Sequence, residues 1–307
     1  MGGGSWTTKA FSDYTSRSRG VSLDEFDTMA FSAQEFYTSR KLDAALNPKG
    51  VMRECCDSDE HPHTVPVILA LDVTGSMGDA AVQVAKKLNE IMTDIYADNS
   101  IKDVEFCVMG IGDLAYDKAP IQMSQFESDI RIAEQLDKMF FEGGGGGNSF
   151  ESYTAAWYMG LNHCKLDCWD RGQKGIIITM GDEKPNPYLP KWGLVGSTGD
   201  SLQGDVETED LQKEVLEKFD VYHISIDDND SSYRWLCSRH PDLNESWRKL
   251  VGNDHYFVSG LNGLAKIITD IVISHGDKTE TAFETGGPVK IDINDNDTAS
   301  SEVSWDI

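Results

Sequence analysis

From "HTVPVILALDV" onward the chain alternates short unbroken apolar runs with longer segments in which apolar residues recur every three or four positions. Continuous runs bounded by turn residues read as strands buried on both faces, the pattern of a parallel sheet covered by helices. They predict strands at 65–72, 104–111, 175–180, 220–226 and 255–258, with a short extra strand at 120–123. Between the first two, Ala81, Ala85, Leu88, Met92 and Ile95 recur at the spacing of one helix face. Further helices are predicted over 129–141, 151–166, 207–219, 232–250 and 261–274. Strand and helix in alternation imply an α/β fold, Rossmann-like and doubly wound, with a mostly parallel central sheet flanked by helices.

The flanking regions differ. Residues 1–60 lack a strong period and are rich in Ser, Thr and aromatics, but two Ser-x-x-Glu capping boxes, Ser22 with Glu25 and Ser32 with Glu35, predict short helices. This region is expected to be an N-terminal arm packed on a body spanning 61–275. Residues 276–307 turn polar and form an acidic C-terminal tail, with eight acidic and two basic side chains over 277–307. "DINDNDTASSE" there fails as a calcium loop, because Asp297 stands where the sharp turn requires Gly and Val303 where the bidentate Glu belongs.

Charge narrows the choice of partner. A formal net charge of −25 over 307 residues repels a phosphate backbone, so nucleic acid is not expected. No apolar stretch approaches the ~20 residues needed to span a bilayer, and the first residues lack the basic start and apolar centre of a signal peptide. Trp6 occupies the position where a myristoylation pattern requires a hydroxyl. The six cysteines, at 55, 56, 107, 164, 168 and 237, show no disulfide framework and fit reduced thiols, so a soluble, cytoplasmic protein is expected. His163, Cys164 and Cys168 lack the second half of a zinc site and read as packing residues of a helix.

Candidate chemistry lies in the loops after the strands, because ligands of parallel α/β sheets bind beyond the carboxyl ends of the strands. Asp72-x-Thr74-x-Ser76 follows the first strand, Gly181-Asp182 follows "GIIITM", and between them "FEGGGGGNSFESY" is expected to enter a helix carrying Asn148, Ser149, Glu151 and Ser152. All three loops carry oxygen ligands. Hydroxyls and carboxylates without Cys or His suit a hard cation, Mg²⁺ first and Mn²⁺ or Ca²⁺ next.

These loops, in this order, resemble the von Willebrand factor type A (vWA) domain and its metal-ion-dependent adhesion site (MIDAS). Asp72, Thr74 and Ser76 match that family's Asp-x-Ser-x-Ser with Thr keeping the hydroxyl, and Asp182 matches its third loop. The second loop is similar to the integrin β version, Asp-x-Pro-Glu, with Asn148 and Glu151 at the matching positions and Phe150 replacing the proline. Which of the two supplies a ligand is open at this point. The resemblance implies that Thr74 and Ser76 coordinate directly, that Asp72 and Asp182 act partly through water, and that an open metal position accepts a carboxylate from a partner protein. "KAPIQMSQFESDIRI", "FEGGGGGN" and "GDE" also resemble a group of stand-alone bacterial and phage proteins with this domain. By analogy, such domains serve AAA-type ATPases or other multi-protein assemblies as adaptors, and no enzyme activity is expected.

Two other readings compete. The first loop is similar to the phosphorylated-aspartate motif of the haloacid dehalogenase superfamily, which would make Asp72 a nucleophile, Lys174 its charge partner and Asp182 a Mg²⁺ ligand of a phosphatase. Against it, Thr74 stands where those hydrolases place a second Asp, and the glycine run has no task. The other reading is a structural role in a larger particle with a vestigial metal site. The five glycines 143–147 follow a helix and lack Gly-Lys-Ser/Thr, so they are no phosphate cradle. "TGSMG" has Thr74 where a nucleophile elbow requires Gly. His223 and His255 read as interior histidines, and "DDND" at 227–230 as a solvated turn.

Overall fold

A computed structural model describes residues 4–98, 100–143, 150–226 and 242–281, the last five through their backbone only. The arm opens with α1 (Thr8–Arg19), α2 (Leu23–Thr28) and α3 (Ala33–Phe36), and both predicted capping boxes form, Ser22 with Glu25 and Ser32 with Glu35. A short strand β1 (Arg53–Cys55) leads to the body. There β2 (Val65–Asp72), α4 (Gly78–Ala97), β3 (Val104–Ile111), β4 (Ile121–Met123) and α5 (Arg131–Leu136) follow in order. After the glycine run come β5 (Phe150–Glu151), α6 (Ala155–Asn162), β6 (Cys164–Leu166), β7 (Gly175–Gly181), β8 (Lys184–Pro185), β9 (Tyr188–Leu189) and α7 (Lys191–Thr198). The described chain closes with β10 (Val206–Glu207), α8 (Thr208–Lys218), β11 (Phe219–Ile226), α9 (Leu243–Val251), β12 (Tyr256–Ser259) and α10 (Leu264–Thr281).

Six strands form the central sheet in the order β12-β11-β7-β2-β3-β4, all parallel except β4. Successive side chains of a strand point to opposite faces. Val67, Leu69 and Leu71 accordingly pack with α4, α5, α10 and the arm, while Ile68 and Ala70 pack with α6, α8 and α9. Two apolar layers on one sheet explain why the strands read as continuous apolar runs.

The arm is bound firmly. A chain of ring contacts runs from Trp6 through Phe11, Phe26 and Phe36 to Tyr37, which stacks on Phe141 at a centroid distance of 5.9 Å. Polar groups fix its register: Tyr37 Oη donates to Ala81 O at 2.9 Å, and Arg19 donates to Phe36 O at 2.9 Å and to Asp137 Oδ1 at 2.6 Å. Ala33 rests on the first turn of α4 so closely that a Cβ at Gly78 would come within 2.9 Å of its own.

The structure shortens two predicted helices. The segment predicted helical over 129–141 stops at Leu136, because the Gln122 side chain donates to Phe140 O at 2.7 Å and accepts from Phe140 N at 2.8 Å, tying residue 140 to β4. The segment predicted over 151–166 is helical only from Ala155 to Asn162, and β6 then pairs in parallel with β1. Cys164 and Cys168 are therefore packing residues of a strand and a 3₁₀ turn, not of a helix. Tertiary pairing has overridden local propensity. The predicted helix over 232–250 is seen from Leu243, and its first part, like the predicted turn at 227–230, lies outside the described residues. The helix α7 was not anticipated; its sequence, KWGLVGST, holds two glycines and little helical pattern.

Phe36 is fully buried at the centre of the ring contacts. Phe36→Ala is expected to destabilise the protein by roughly 3–5 kcal/mol, measured as a lowered denaturant midpoint with an unchanged slope.

Candidate functional site

The sheet register decides which loops meet. Asp72 lies opposite Ile111 of β3, and Leu71 opposite Met180 of β7, so the loops carrying Ser76, Asp113 and Asp182 leave adjacent strand ends. After β2 the chain runs through α4 to β3 on one side, while β7, reached much later, lies on the other. The ends of β2 and β7 thus flank the switch point of the sheet, where crevices open in this class of fold.

Asp72 is 1 % exposed and its carboxylate is fully engaged. Oδ1 accepts from Thr74 N at 2.8 Å and Thr74 Oγ1 at 2.6 Å, and Oδ2 accepts from Tyr153 Oη at 2.7 Å. Tyr153 Oη in turn accepts from Glu183 N at 3.3 Å, so one phenol links the first loop to the third. Its ring lies against the end of β7, where a Cβ at residue 181 would collide with it; glycine there is a packing requirement. Burial, and then the charge of Asp182, push the Asp72 carboxyl up to about 7.

Glu151 sits in β5, which pairs with β8 just beyond Asp182, rather than at the start of the expected helix. It is 5 % exposed, and its Oε2 is buried without a hydrogen-bond partner. Burial first, then the charges of Asp72, Asp113, Asp117 and Asp182, push its carboxyl up to about 10. Asn148 and Ser149 lie outside the described residues. Ser152 Oγ accepts from Leu114 N at 3.0 Å and from Asn186 Nδ2 at 2.9 Å, joining the loops that follow β3, the glycine run and β8.

Ser76 is half-buried in the 3₁₀ turn Gly75–Met77 and lines an open cleft of about 410 Å³. Thr74, by contrast, is buried with its hydroxyl turned to Asp72. The structure thus brings Asp72, Thr74, Glu151 and the charge of Asp182 together, with Ser76 at the cleft. Among the described residues no three His, Cys, Asp or Glu side chains are grouped so as to hold a metal ion by themselves. Any ion here would draw on hydroxyl and water oxygens as well as carboxylates.

Sequence reasoning missed three groups: Asp113, Asp117 and Tyr153. Asp113 is fully buried; its Oδ1 accepts from Ala115 N at 2.7 Å and its Oδ2 has no hydrogen-bond partner. Asp117 accepts from Asp113 N at 2.7 Å, and burial raises its carboxyl above the usual range. Both belong to "GIGDLAYDK", directly after a predicted strand, so the rule that selected Asp72 and Asp182 applied equally to them.

Lys174 corrects the phosphatase reading. It precedes the first residue of β7, donates to Leu216 O at 2.6 Å and faces Asp220 at 3.9 Å. That is the opposite end of the strand from Asp182, roughly 26 Å away by the rise of a strand. It cannot serve as charge partner to Asp72. His223 is an interior histidine, with Nδ1 2.8 Å from Thr179 Oγ1 and its ring stacked on Trp247; burial depresses its pKa well below the usual value and keeps it neutral.

No protein-family model matches the chain, and no curated protein sequence does. Solved structures resemble it at low identity. The pilus adhesin SpaC from Lactobacillus rhamnosus GG, in its open conformation, aligns at a TM-score of 0.48 and 15 % identity, over 75 % of this chain and 31 % of that one. Proximal thread matrix protein 1 from the mussel byssus aligns at 0.44 and 12 %, over 72 % and 48 %. The vWF domain of the type V pili tip protein Mfa5 from Porphyromonas gingivalis aligns at 0.40 and 12 %, over 74 % and 98 %. The chain thus spans about a third of the adhesin and half of the byssus protein.

Two outcomes test this geometry. A raised carboxyl binds its proton more tightly folded than unfolded, so its stabilisation is complete below the unfolded value of about 4 and is lost as pH rises through the folded value. Without divalent cations, stability is expected to fall between about pH 4 and about 7 through Asp72, and further toward about 10 through Glu151. Asp72→Asn should flatten the lower part of that slope in urea titrations. Tyr153→Phe removes a hydrogen bond to a carboxylate and is expected to cost about 1–3 kcal/mol at pH 8, read from the same titrations.

Proposed function

We propose that this chain is a divalent-cation-dependent protein-binding module of the vWA type. The observation that supports it most directly is the concentration of buried acid at the switch point: Asp72, Asp113 and Glu151 are all buried, and Glu151 Oε2 lacks a hydrogen-bond partner. Buried charge of one sign is costly unless paired or bound to a metal. An oxygen-only donor set suits Mg²⁺, with Mn²⁺ or Ca²⁺ as alternatives.

In this reading Ser76 and Glu151 would hold the ion, with Asn148 as a further oxygen donor and Asp182 acting through water. Asp72, whose two oxygens are already engaged, would act from behind by orienting Thr74 and by its charge. A bound cation supplies an open coordination position at which a partner's carboxylate would bind. The protein's own part is to hold the oxygens rigidly and to leave Ser76 at the edge of a cleft that a partner can enter. The partner would be a protein with an accessible acidic side chain. A nucleophilic role for Asp72 is disfavoured, since the carboxylate is buried and bonded to Thr74 and Tyr153, and Lys174, its expected charge partner, is engaged with Leu216 O at the other end of β7.

Mg²⁺ binding to the folded state alone would raise stability by about 2.7 kcal/mol at a hundredfold excess over Kd. Thermal unfolding and calorimetric titration are expected to show such a shift for the wild type and its loss in Glu151→Gln and Asp72→Ala. A wild type whose stability ignores Mg²⁺, Mn²⁺ and Ca²⁺ alike would overturn the reading.

A further inference from the structure

His163 follows the last residue of α6 and joins three segments. Its Nδ1 lies 3.1 Å from Val51 O in the arm, and its Nε2 lies 2.7 Å from Oδ2 of Asp200, just beyond the end of α7. The backbone belongs to the same junction: His163 O accepts from Arg53 N at 2.8 Å, and Gly50 N donates to Thr198 O at 2.9 Å. The histidine is buried, and among the described residues its ring nitrogens have no other hydrogen-bond partner.

Both partners of the ring accept. A carbonyl oxygen has no proton to give. Asp200 Oδ2 also accepts from Tyr158 Oη at 2.6 Å. Burial works against the charge of Asp200, but the bonds from Tyr158 and His163 outweigh it and hold the carboxyl below its ordinary value. Burial, and then the bond to Asp200, push the Tyr158 phenol up, so it remains a donor. The two bonds of His163 therefore require a proton on each nitrogen, which only the imidazolium carries. A neutral ring must give up one of them. Because a hydrogen bond to a carboxylate is roughly twice as strong as one to a neutral acceptor, the remaining proton stays at Nε2 and Val51 O is released.

The other charged or titratable groups on the elements packed here are occupied elsewhere. Lys49 Nζ reaches Gly196 O at 3.5 Å, Arg53 Nη2 donates to Ala45 O and Met123 O at 2.7 Å each, and burial pushes the Cys164 thiol well above its ordinary value. The segment that Val51 anchors is also a wall. Asn47 and Lys49 line one side of a second open cleft, of about 340 Å³, and Trp192, Gly196 and Ser197 of α7 line another.

We propose that His163 is a proton-operated latch: as the imidazolium it ties the arm at Val51 to the end of α7 at Asp200, and as the neutral ring it releases the arm and loosens that wall of the cleft. The latch is closed on the acid side of its imidazole titration and open on the alkaline side. None of its groups is among those assigned to the cation, so it stands or falls separately from the metal reading.

The test is amide hydrogen exchange of the full chain from about pH 5.5 to about 8.5, the range that brackets imidazole titration. Protection is corrected for intrinsic exchange and referred to the core amides of β7, which report global opening. In wild type, Gly50 and Arg53 N–H are expected to lose protection about tenfold or more with rising pH, one hydrogen bond to a charged group being worth at least that. The midpoint should match the chemical-shift titration of the His163 ring. Asp200→Asn supplies a carboxamide that accepts from an imidazolium or donates to a neutral Nε2, so in this variant the same amides should stay protected throughout. Wild-type protection that ignores pH overturns the proposal, as does a pH dependence that persists in Asp200→Asn. Should that variant fail to fold, the wild type decides: a Gly50 midpoint about one pH unit or more from that of His163, a tenfold mismatch in proton affinity, overturns it.

Discussion

Burying the carboxylate of Asp72 at the end of the central strand is the constraint to which the surrounding loops answer. A carboxylate in that place is destabilising unless donors surround it. Thr74 supplies two of them from the turn that immediately follows, and Tyr153 supplies the third from a segment eighty-one positions away. That distant hydroxyl dictates more than one hydrogen bond. The ring must lie over the end of β7, which only a glycine at 181 permits, and the same oxygen then receives Glu183 N–H and fixes the start of the third loop. One carboxylate therefore organises residues from three parts of the chain.

The same site is left under electrostatic tension. Asp182 adds negative charge beside Asp72, Asp113 and Asp117 add theirs beside Glu151, and burial raises Asp72, Glu151 and Asp117 above the ordinary carboxylate range. Structural ion pairs usually bring opposite charges together; here like charges are gathered beside a cleft, which is the arrangement expected of a functional site rather than of a stabilising network. The cost is supported by the sheet below, where Leu71, Ile178 and Met180 are almost wholly excluded from water.

Much of this was legible in the chain. The predicted strands at 65–72 and 104–111 coincide with β2 and β3, because short runs dominated by apolar residues between turn residues leave few alternatives. Ser22 and Ser32 announced their helices because a capping box is entirely local. What stayed hidden depends on tertiary contacts. Nothing near Asn162 says that the chain will leave a helix to pair with β1, and nothing in Gly181 says that a tyrosine twenty-eight residues earlier will occupy the space of its missing side chain. Asp113 and Asp117 were accessible by the strand-end rule but carried no spacing motif to single them out.

The arm shows why a region without periodicity can still be integral. Trp6, Phe11, Phe26, Phe36 and Leu46 belong to the same apolar cluster as Leu69, Leu71 and Ile178 of the sheet. Residues that pack with the sheet while their neighbours Ser32 and Gln34 line the cleft cannot shift without reshaping it. The ring contacts end at Phe141, two positions before Gly143, so movement of the arm is transmitted to the entry of the glycine run as well as to the first turn of α4. A close-packed interior responds to such displacement as a unit rather than by local yielding. Engagement of a ligand in the cleft and the seating of the arm are for this reason expected to be one equilibrium, in which whatever fills the cleft also stabilises the packing of the first sixty residues.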